Sequence, residues 1–504
     1  MKLEKKVKRR IDANLDRIAK NPYEKKRGLS LWPKILIPVG GLALAASVTL
    51  AITLPLASVQ NVPELNRLTT PRMEKVREVP NEFISKTTYD SYMAFTRKFT
   101  DLMMEVNNGK NEKSMGVSIP DAYICLAIMG VVSSDAARAD VMSYLELDTM
   151  DDLRTSVKEI VTTFCALSKD YDGNLVGGYN LNSVWLDPEQ VALVKEKDEE
   201  LYKDLEEVFD ASIYYEALTS KAANQYLEDN GLEGMPTPEI QLDDEKPSPL
   251  STMSVYYCLD HFKREEKIDY KREFQSGAHL MNYEAAGKKS RVDFIEQKKE
   301  DVVFEGDDFY GARMDIGNIL HMSYFLPNEK TALPSSILDD VLNENYHLKE
   351  STYSNPERRG EFETTTHNVV IDAPYFSLDN KLGLERSDLK KILPVITTRG
   401  AGARLVSQNP QVDGFMFLNY LKQFSVMKFN YDGFYSCSVT IAGTTMDGGD
   451  FYDPGFEEFK LILNHPYVFE VERRVMYQDP STEAMKIVNV PLVIGEIVTP
   501  EYVD

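Results

Sequence analysis

From Ile35 to Pro63 the chain carries no charged residue, and the stretch from Ile35 to Ala57 (ILIPVGGLALAASVTLAITLPLA) is long enough, as a helix rising ~1.5 Å per residue, to cross ~30 Å of hydrocarbon. This run sets the plan of the molecule, because the segments on its two flanks are then expected on opposite sides of a membrane. Residues 1–34 hold twelve Lys or Arg against four acids, a local charge of +8; the whole chain is −23, so everything after Lys34 carries −31. The positive flank predicts a single-pass topology in the cell membrane, with residues 1–34 cytoplasmic and the acidic body extracellular. A signal peptide cleaved near Ala57 and Ser58 is the rival reading. The 34-residue basic region and the long apolar run favour an uncleaved anchor, and either way the body is exported. Membrane lipid is thus an expected partner, through Ile35 to Ala57.

The basic tail places Leu3, Val7, Ile11, Leu15 and Ile18 on one helical stripe. Two readings stand side by side: a basic amphipathic helix lying on the inner leaflet, or a topology signal with incidental periodicity. After the span, residues 58–80 hold Pro63, Pro71 and Pro80 among polar residues and read as a linker. The body, residues 81–504, is expected to form one folded domain. At 43% hydrophobic and 27% charged, the chain has material for a large core. Its net charge argues against nucleic acid as a partner, since phosphate contacts need clustered Lys and Arg.

Cys125, Cys165, Cys258 and Cys437 have no CxxC spacing and no local His partners, so neither a zinc site nor a disulfide framework is implied; buried thiols are expected for the first three. No Walker loop, HExxH or GxSxG motif is present, and no cofactor is implied. Asp447, Asp450 and Asp453 lack the spacing and the terminal bidentate Glu of a calcium loop. Three-to-four spacing of apolar residues predicts helices from Tyr89 to Val106, Pro120 to Val132, Ser134 to Leu145, Met150 to Ser168 and Asp198 to Val208. Alternation and β-branched runs predict strands at Val302 to Phe304, Asn318 to Leu326, Asn368 to Leu378, Phe424 to Asn430, Phe459 to Leu463, Tyr467 to Glu472 and Val488 to Ile497. Helices early and strands late give an α+β class.

A series of motifs runs along nearly all of the body. It comprises GVSIPDAYICLA (116–127), NSVWL (182–186), AANQYL (222–227), SVYYCLDHF (254–262), NILHMSYFLP (318–327) and VVIDAPYFSL (369–378). It ends with VMKFNYDG (426–433), a loop, NHPYVF (464–469) and IGEIVTP (494–500). In this order the motifs resemble the serpin family. The resemblance implies a helical N-terminal part, a large central β-sheet and smaller sheets, here preceded by one transmembrane helix. It implies a protein that is not an enzyme but an inhibitor of serine or cysteine endopeptidases, with an extracellular protease as partner. A loop after a hinge glycine is cleaved by the protease, which is held as an acyl-enzyme while the loop enters the central sheet as a new strand.

On this resemblance the reactive-loop hinge is Gly433, Phe434, Tyr435, Ser436, Cys437, Ser438, Val439 and Thr440. The candidate scissile region is Thr445, Met446, Asp447, Gly448 and Gly449. With the residue after Gly433 inward, Phe434, Ser436, Ser438 and Thr440 face the core, and all but Phe434 are small. The chain also departs from the inhibitory pattern. Phe434 stands where a small residue is usual, and Tyr431 where an acid is. Phe262 replaces a tryptophan and Cys258 an aromatic. The polar cluster where the sheet opens appears as Ile119, Ala122, Ser254 and Gln423, so most of its hydrogen bonds are expected to be lost. Two functions therefore compete, a membrane-tethered protease inhibitor and a non-inhibitory binding or sensing protein of the same fold. An unrelated enzyme would need a catalytic constellation that the sequence does not offer.

Overall fold

The computed structural model describes Arg67 and residues 82–107, 113–169, 175–232, 235–262, 281–285, 288–317, 319–355, 360–408, 416–430, 433–438 and 457–500. They belong to one compact unit, Leu65–Asp504. The basic tail, and the expected span from Ile35 to Ala57, lie outside the described residues. Among the described residues no helix is long and apolar enough to cross a membrane. Arg67, within the expected linker, pairs with Tyr214 and donates to the Ser212 hydroxyl at 2.8 Å.

Four helices open the fold: α1 (Lys86–Asn107), α2 (Pro120–Val131), α3 (Asp135–Tyr144) and α4 (Met150–Thr163). Pro120 costs α2 no hydrogen bond, because the first N–H of a helix has no intrahelical partner. All of α2 but Cys125 is buried, which suits its nearly unbroken apolar sequence. Thr149 and Asp152 close a reciprocal capping box at the start of α4. That helix ends at Thr163, short of the expected Ser168. Residues from Leu167 onward are claimed by strand pairing with a segment whose Gly177 has φ +108° and lies against the Ala166 carbonyl. Further on lie α5 (Glu199–Glu207), α6 (Ser220–Asn230), α7 (Ser335–Leu342) and α8 (Arg386–Ile392).

Two large sheets face one another across the main core. The seven-stranded sheet runs β16 (Phe376–Glu385), β18 (Tyr420–Asn430), β19 (Gly433–Ser438), β6 (Leu250–His261), β3 (Leu175–Leu186) and β2 (Leu167–Lys169). A parallel strand, β5 (Ala211–Tyr214), also pairs with β3. The second sheet has nine strands rather than being a smaller one. It runs β1 (Met115–Ser118), β22 (Met485–Ile497), β21 (Tyr467–Gln478), β11 (Leu320–Pro327), β10 (Phe309–Asp315), β9 (Phe294–Glu305), β15 (Thr366–Pro374) and β20 (Glu458–Ile462), with β12 (His347–Leu348) beside β9. The remaining strands form two-stranded ribbons: β4 (Val191–Leu193) with β17 (Val406–Gln408), β7 (Met281–Ala285) with β8 (Lys288–Val292), and β13 (Ser351–Asn355) with β14 (Gly360–Thr364). The expected strand from Asn368 to Leu378 is two strands. At Tyr375 the chain leaves β15 of one sheet to become β16 of the other, just after Pro374, which has no N–H to extend a ladder.

The main core fills the space between the sheets and around α1 to α4. A second cluster lies on the other face of the seven-stranded sheet, beneath α6. There Trp185 stacks on Tyr214 at 4.3 Å between ring centroids, and Tyr226 meets both edge-on. The middle of the seven-stranded sheet is therefore covered on both faces, and that is where the candidate site lies.

Candidate functional site

β19 is a short strand wedged between β18 and β6, antiparallel to both. Gly433 is opposite Asn430 and His261, Phe434 opposite Phe429 and Asp260, Ser436 opposite Met427 and Cys258, and Ser438 opposite Ser425 and Tyr256. Gly433 has φ +143°, and a Cβ there would stand 2.4 Å from the Asp260 carbonyl oxygen and 2.9 Å from the His261 Cα. Only glycine fits where the chain turns into β19.

Side chains of β19 alternate between the two clusters. Phe434 and Ser436 are fully buried; Phe434 joins the main core, while the Ser436 hydroxyl has no hydrogen-bond partner among the described residues. Cys437 is buried in the second cluster and Tyr435 packs against it. Val439, Thr440, Thr445, Met446, Asp447, Gly448 and Gly449 lie outside the described residues, as does Tyr431.

Below Ser438 the two flanking strands continue while no described strand runs between them. The facing edges are residues 250–255 of β6 and 420–424 of β18. A cavity of about 550 Å³ occupies this lower seam. Phe99 and Met103 of α1 and Ala122, Cys125, Leu126 and Met129 of α2 line its core side; Leu218, Ala223, Ile240 and Leu242 line the side of the second cluster. Cys125 is half-buried rather than fully buried, its thiol 3.2 Å from the Thr252 hydroxyl, and burial pushes that thiol up to about 11, so it stays protonated at neutral pH. All four cysteines are free, and Cys437 is buried as well as Cys165 and Cys258.

The polar cluster at the opening is displaced rather than lost, which corrects the expectation from Ile119 and Ala122. Gln423 of β18 accepts from the Ser118 N–H at 3.0 Å and donates to the Ser118 carbonyl at 2.8 Å and to Asp121 at 3.2 Å. The Ser118 hydroxyl donates to the other Asp121 oxygen at 2.6 Å. These bonds tie β18 to β1 and α2. On the other side, Ser254 donates to Asn182 at 2.7 Å and Asn180 donates to Ser254 at 3.3 Å, which ties β6 to β3. Each side of the seam is thus pinned to its own neighbours, and none of these bonds crosses it. Ser118, Asp121, Asn180 and Asn182 do not stand out in the sequence. An acid one residue after Pro120 in an otherwise apolar helix is the available signal, since buried acids need partners.

At the upper end of β6 the carboxylate of Asp260 is buried and accepts from the N–H groups of Ile319 at 2.7 Å, Leu320 at 2.8 Å and His261 at 2.9 Å. Burial pushes its pKa up to about 6, and the three N–H donors and His321 hold it from going further. His321 Nδ1 lies 2.6 Å from Asp315, whose carboxyl is held well below the usual range by His321 and by Lys299 at 2.9 Å despite its burial. Asp260 thereby joins the upper end of β6 to the β10–β11 turn of the nine-stranded sheet. A Cβ on Gly317 would fall 2.0 Å from its carboxylate, so this turn closes only with glycine there.

With this geometry in view, solved structures that share it include several serpins. The native structure of the thermophilic serpin Tengpin superposes with a TM-score of 0.55 at 12% identity, covering 86% of this chain and all of that one. This is the serpin fold. Serpin48 of the insect Tenebrio molitor matches this serpin-fold chain at a TM-score of 0.56 and 12% identity, over 82% of this chain and 99% of its own. Thyroxine-binding globulin in complex with thyroxine matches at 0.54 and 11%, over 82% of this chain and 100% of its own. The sequence itself matches no family model and no curated protein. Among the described residues no group of three or more His, Cys, Asp or Glu is placed to hold a metal ion.

Proposed function

We propose that the chain is a membrane-anchored, extracellular inhibitor of serine or cysteine endopeptidases that works by cleavage and insertion of the segment after Gly433. One observation carries the reading. β19 occupies the upper part of a seam whose lower part is a cavity between two strand edges. Continuing the observed register sets Val439 opposite Val255 and Phe424, Thr440 opposite Ser254 and Gln423, Ile441 opposite Met253 and Lys422, and Ala442 opposite Thr252 and Leu421. Thr440 and Ala442 would then face the main core and Val439 and Ile441 the second cluster, a pattern of small and β-branched residues that suits a central strand. Loop cleavage within Thr445 to Gly449 frees this segment, and backbone pairing on both edges draws it in. The apolar span from Ile35 to Ala57, preceded by twelve basic residues, supports anchoring at the cell surface.

Incubation with a panel of serine and cysteine endopeptidases, followed by a denaturing gel, tests the reading. A covalent complex of chain and protease is the expected product. Clean loop cleavage by every protease tried, with no complex, would overturn it in favour of a non-inhibitory binding protein. The cavity is the observation that favours this second reading, and thyroxine-binding globulin is a neighbour of that kind.

A further inference from the structure

The lower seam has the makings of a ligand site in its own right. Its walls are mostly apolar and unusually rich in methionine, with Met103, Met129, Met253 and Met416 beside Leu126 and Phe424, and they are interrupted by polar residues such as Ser251, Thr252, Ser254 and Gln423. Methionine adapts its shape to flexible apolar ligands. A volume of about 550 Å³ lies inside the roughly 300–1,000 Å³ range of pockets that hold small molecules.

Among the described residues, three charged ones line the cavity: Asp121, Lys246 and Lys422. Asp121 is buried and engaged, one oxygen by the Ser118 hydroxyl at 2.6 Å and the other by Gln423 at 3.2 Å. The two lysines are exposed, one before β6 and one on β18, and so stand on opposite sides of the seam. Neither forms an ion pair with a carboxylate among the described residues; Lys422 Nζ lies 4.8 Å over the Tyr420 ring. Among the described lining residues the charges without an ion-pair partner are these two lysines, the exposed Asp243, Asp244 and Glu245 just before Lys246 standing outside the lining, and the interior is mostly apolar.

The geometry points to a binding site for a long acyl chain bearing one anionic group, the chain lying in the lower seam and the anion between Lys246 and Lys422. A free fatty acid and the acyl chain of an anionic lipid share this chemistry. This inference rests on the proposed function for its consequence: ligand and inserting strand would occupy the same seam, so each excludes the other, and the acyl anion acts as a brake on insertion.

The test uses the full chain in zwitterionic lipid nanodiscs with a dansyl-labelled undecanoate as probe. Saturable fluorescence enhancement, displaced by palmitate and weakened at least about 10-fold in the Lys246→Glu, Lys422→Glu double variant, is the expected result. Both lysines are exposed, so the variant keeps its core. Nanodiscs with and without anionic phospholipid distinguish the sources: displacement by palmitate alone assigns the free acid, and reduced probe binding in anionic discs assigns the lipid. Absence of saturable binding, or equal binding by the double variant, overturns the site. Cleavage of the loop is expected to release the probe. Probe that stays bound after complete cleavage supports the acyl site but overturns strand insertion. No probe binding together with a cleavage-induced rise in Tm overturns the acyl site alone.

Discussion

Phe434 on β19 stands directly opposite Asp260 on β6, the phenyl ring and the carboxylate both fully withdrawn from solvent. The sequence makes Phe434 an obstacle, a large ring where a small side chain usually starts the inserted strand. In the structure it is part of the core, in the same cluster as Phe429, its partner on the other side, and Phe262.

Phe434→Thr is therefore expected to destabilise the native protein, by about 2–4 kcal/mol on the scale of large-to-small core substitutions. The fraction of protease trapped should fall, because the variant loses an anchor for the strand rather than a barrier to it. Chemical denaturation and a denaturing gel read the two effects. Higher trapping with unchanged stability would mean that the ring opposes insertion after all.

Gly433→Ala tests the turn into β19. The nearest atoms to the new methyl are the carbonyl of Asp260 and the Cα of His261, backbone of β6 that no rotamer change can move. With the positive φ added, the cost should exceed ~1 kcal/mol. Tm should drop, and hydrogen exchange at Phe434 and Ser436 should speed up. A wild-type Tm would show that β19 can enter the sheet by another path.

The motif order makes the fold legible, and long periodic segments such as Tyr89 to Val106 and Pro120 to Val132 lie within a residue or a few of α1 and α2. Segments that change partner are harder to read. Periodicity cannot show that residues 368–378 leave one sheet for another, because β-propensity is the same in both. Nor can it show that β19 already lies in the sheet, since a strand-prone segment after Gly433 reads alike whether exposed or paired. The polar cluster escapes a position-by-position comparison, which is blind to any place but those where the family keeps its serines and histidine. Here Ser118 and Asp121, one residue to the side of Ile119 and Ala122, meet Gln423 instead.

Gln423→Leu should loosen β18 from β1 and α2. It removes three hydrogen bonds in a buried site, those to the Ser118 N–H, the Ser118 carbonyl and one Asp121 oxygen. A loss of about 1–3 kcal/mol is expected, more than a surface glutamine would give. Because the seam then opens more easily, insertion after loop cleavage should be faster, as followed by the rate of Tm gain. Unchanged stability would mean that water replaces the amide at no cost.

For topology, protease added to intact cells should remove the acidic body and spare the basic residues 1–34, as detected by antibodies against each end. A body that survives until the membrane is permeabilised would reverse the orientation. A body found entirely in the medium would favour a cleaved leader.

Asp260 links the seam to pH. Its folded pKa of about 6 lies above the ordinary aspartate value of 3.8, so the native state binds a proton more tightly than the unfolded chain does. Its contribution to stability is complete below pH ~4 and is lost as pH rises through ~6, to a total of no more than about 3 kcal/mol for a two-unit shift. Asp315 has the opposite sign. Its folded pKa is depressed, so its contribution is present above the ordinary aspartate value and is lost only as pH falls below it, outside the window from 4 to 6. Glu470 is buried and raised like Asp260, so the wild-type profile alone does not isolate one residue. Comparison with Asp260→Asn does separate it from Glu470, because groups that do not interact with Asp260 cancel between the two proteins; His321, which does interact with it, is part of the Asp260 effect. The amide places an N–H₂ near the His261 N–H, a penalty that does not change with pH. The wild type should therefore gain stability relative to Asp260→Asn as pH falls from 7.5 to 4.5, with the midpoint near 6, measured by urea unfolding at each pH. Parallel profiles for the two proteins would show that Asp260 keeps an ordinary pKa, and that its three N–H donors offset the burial in full.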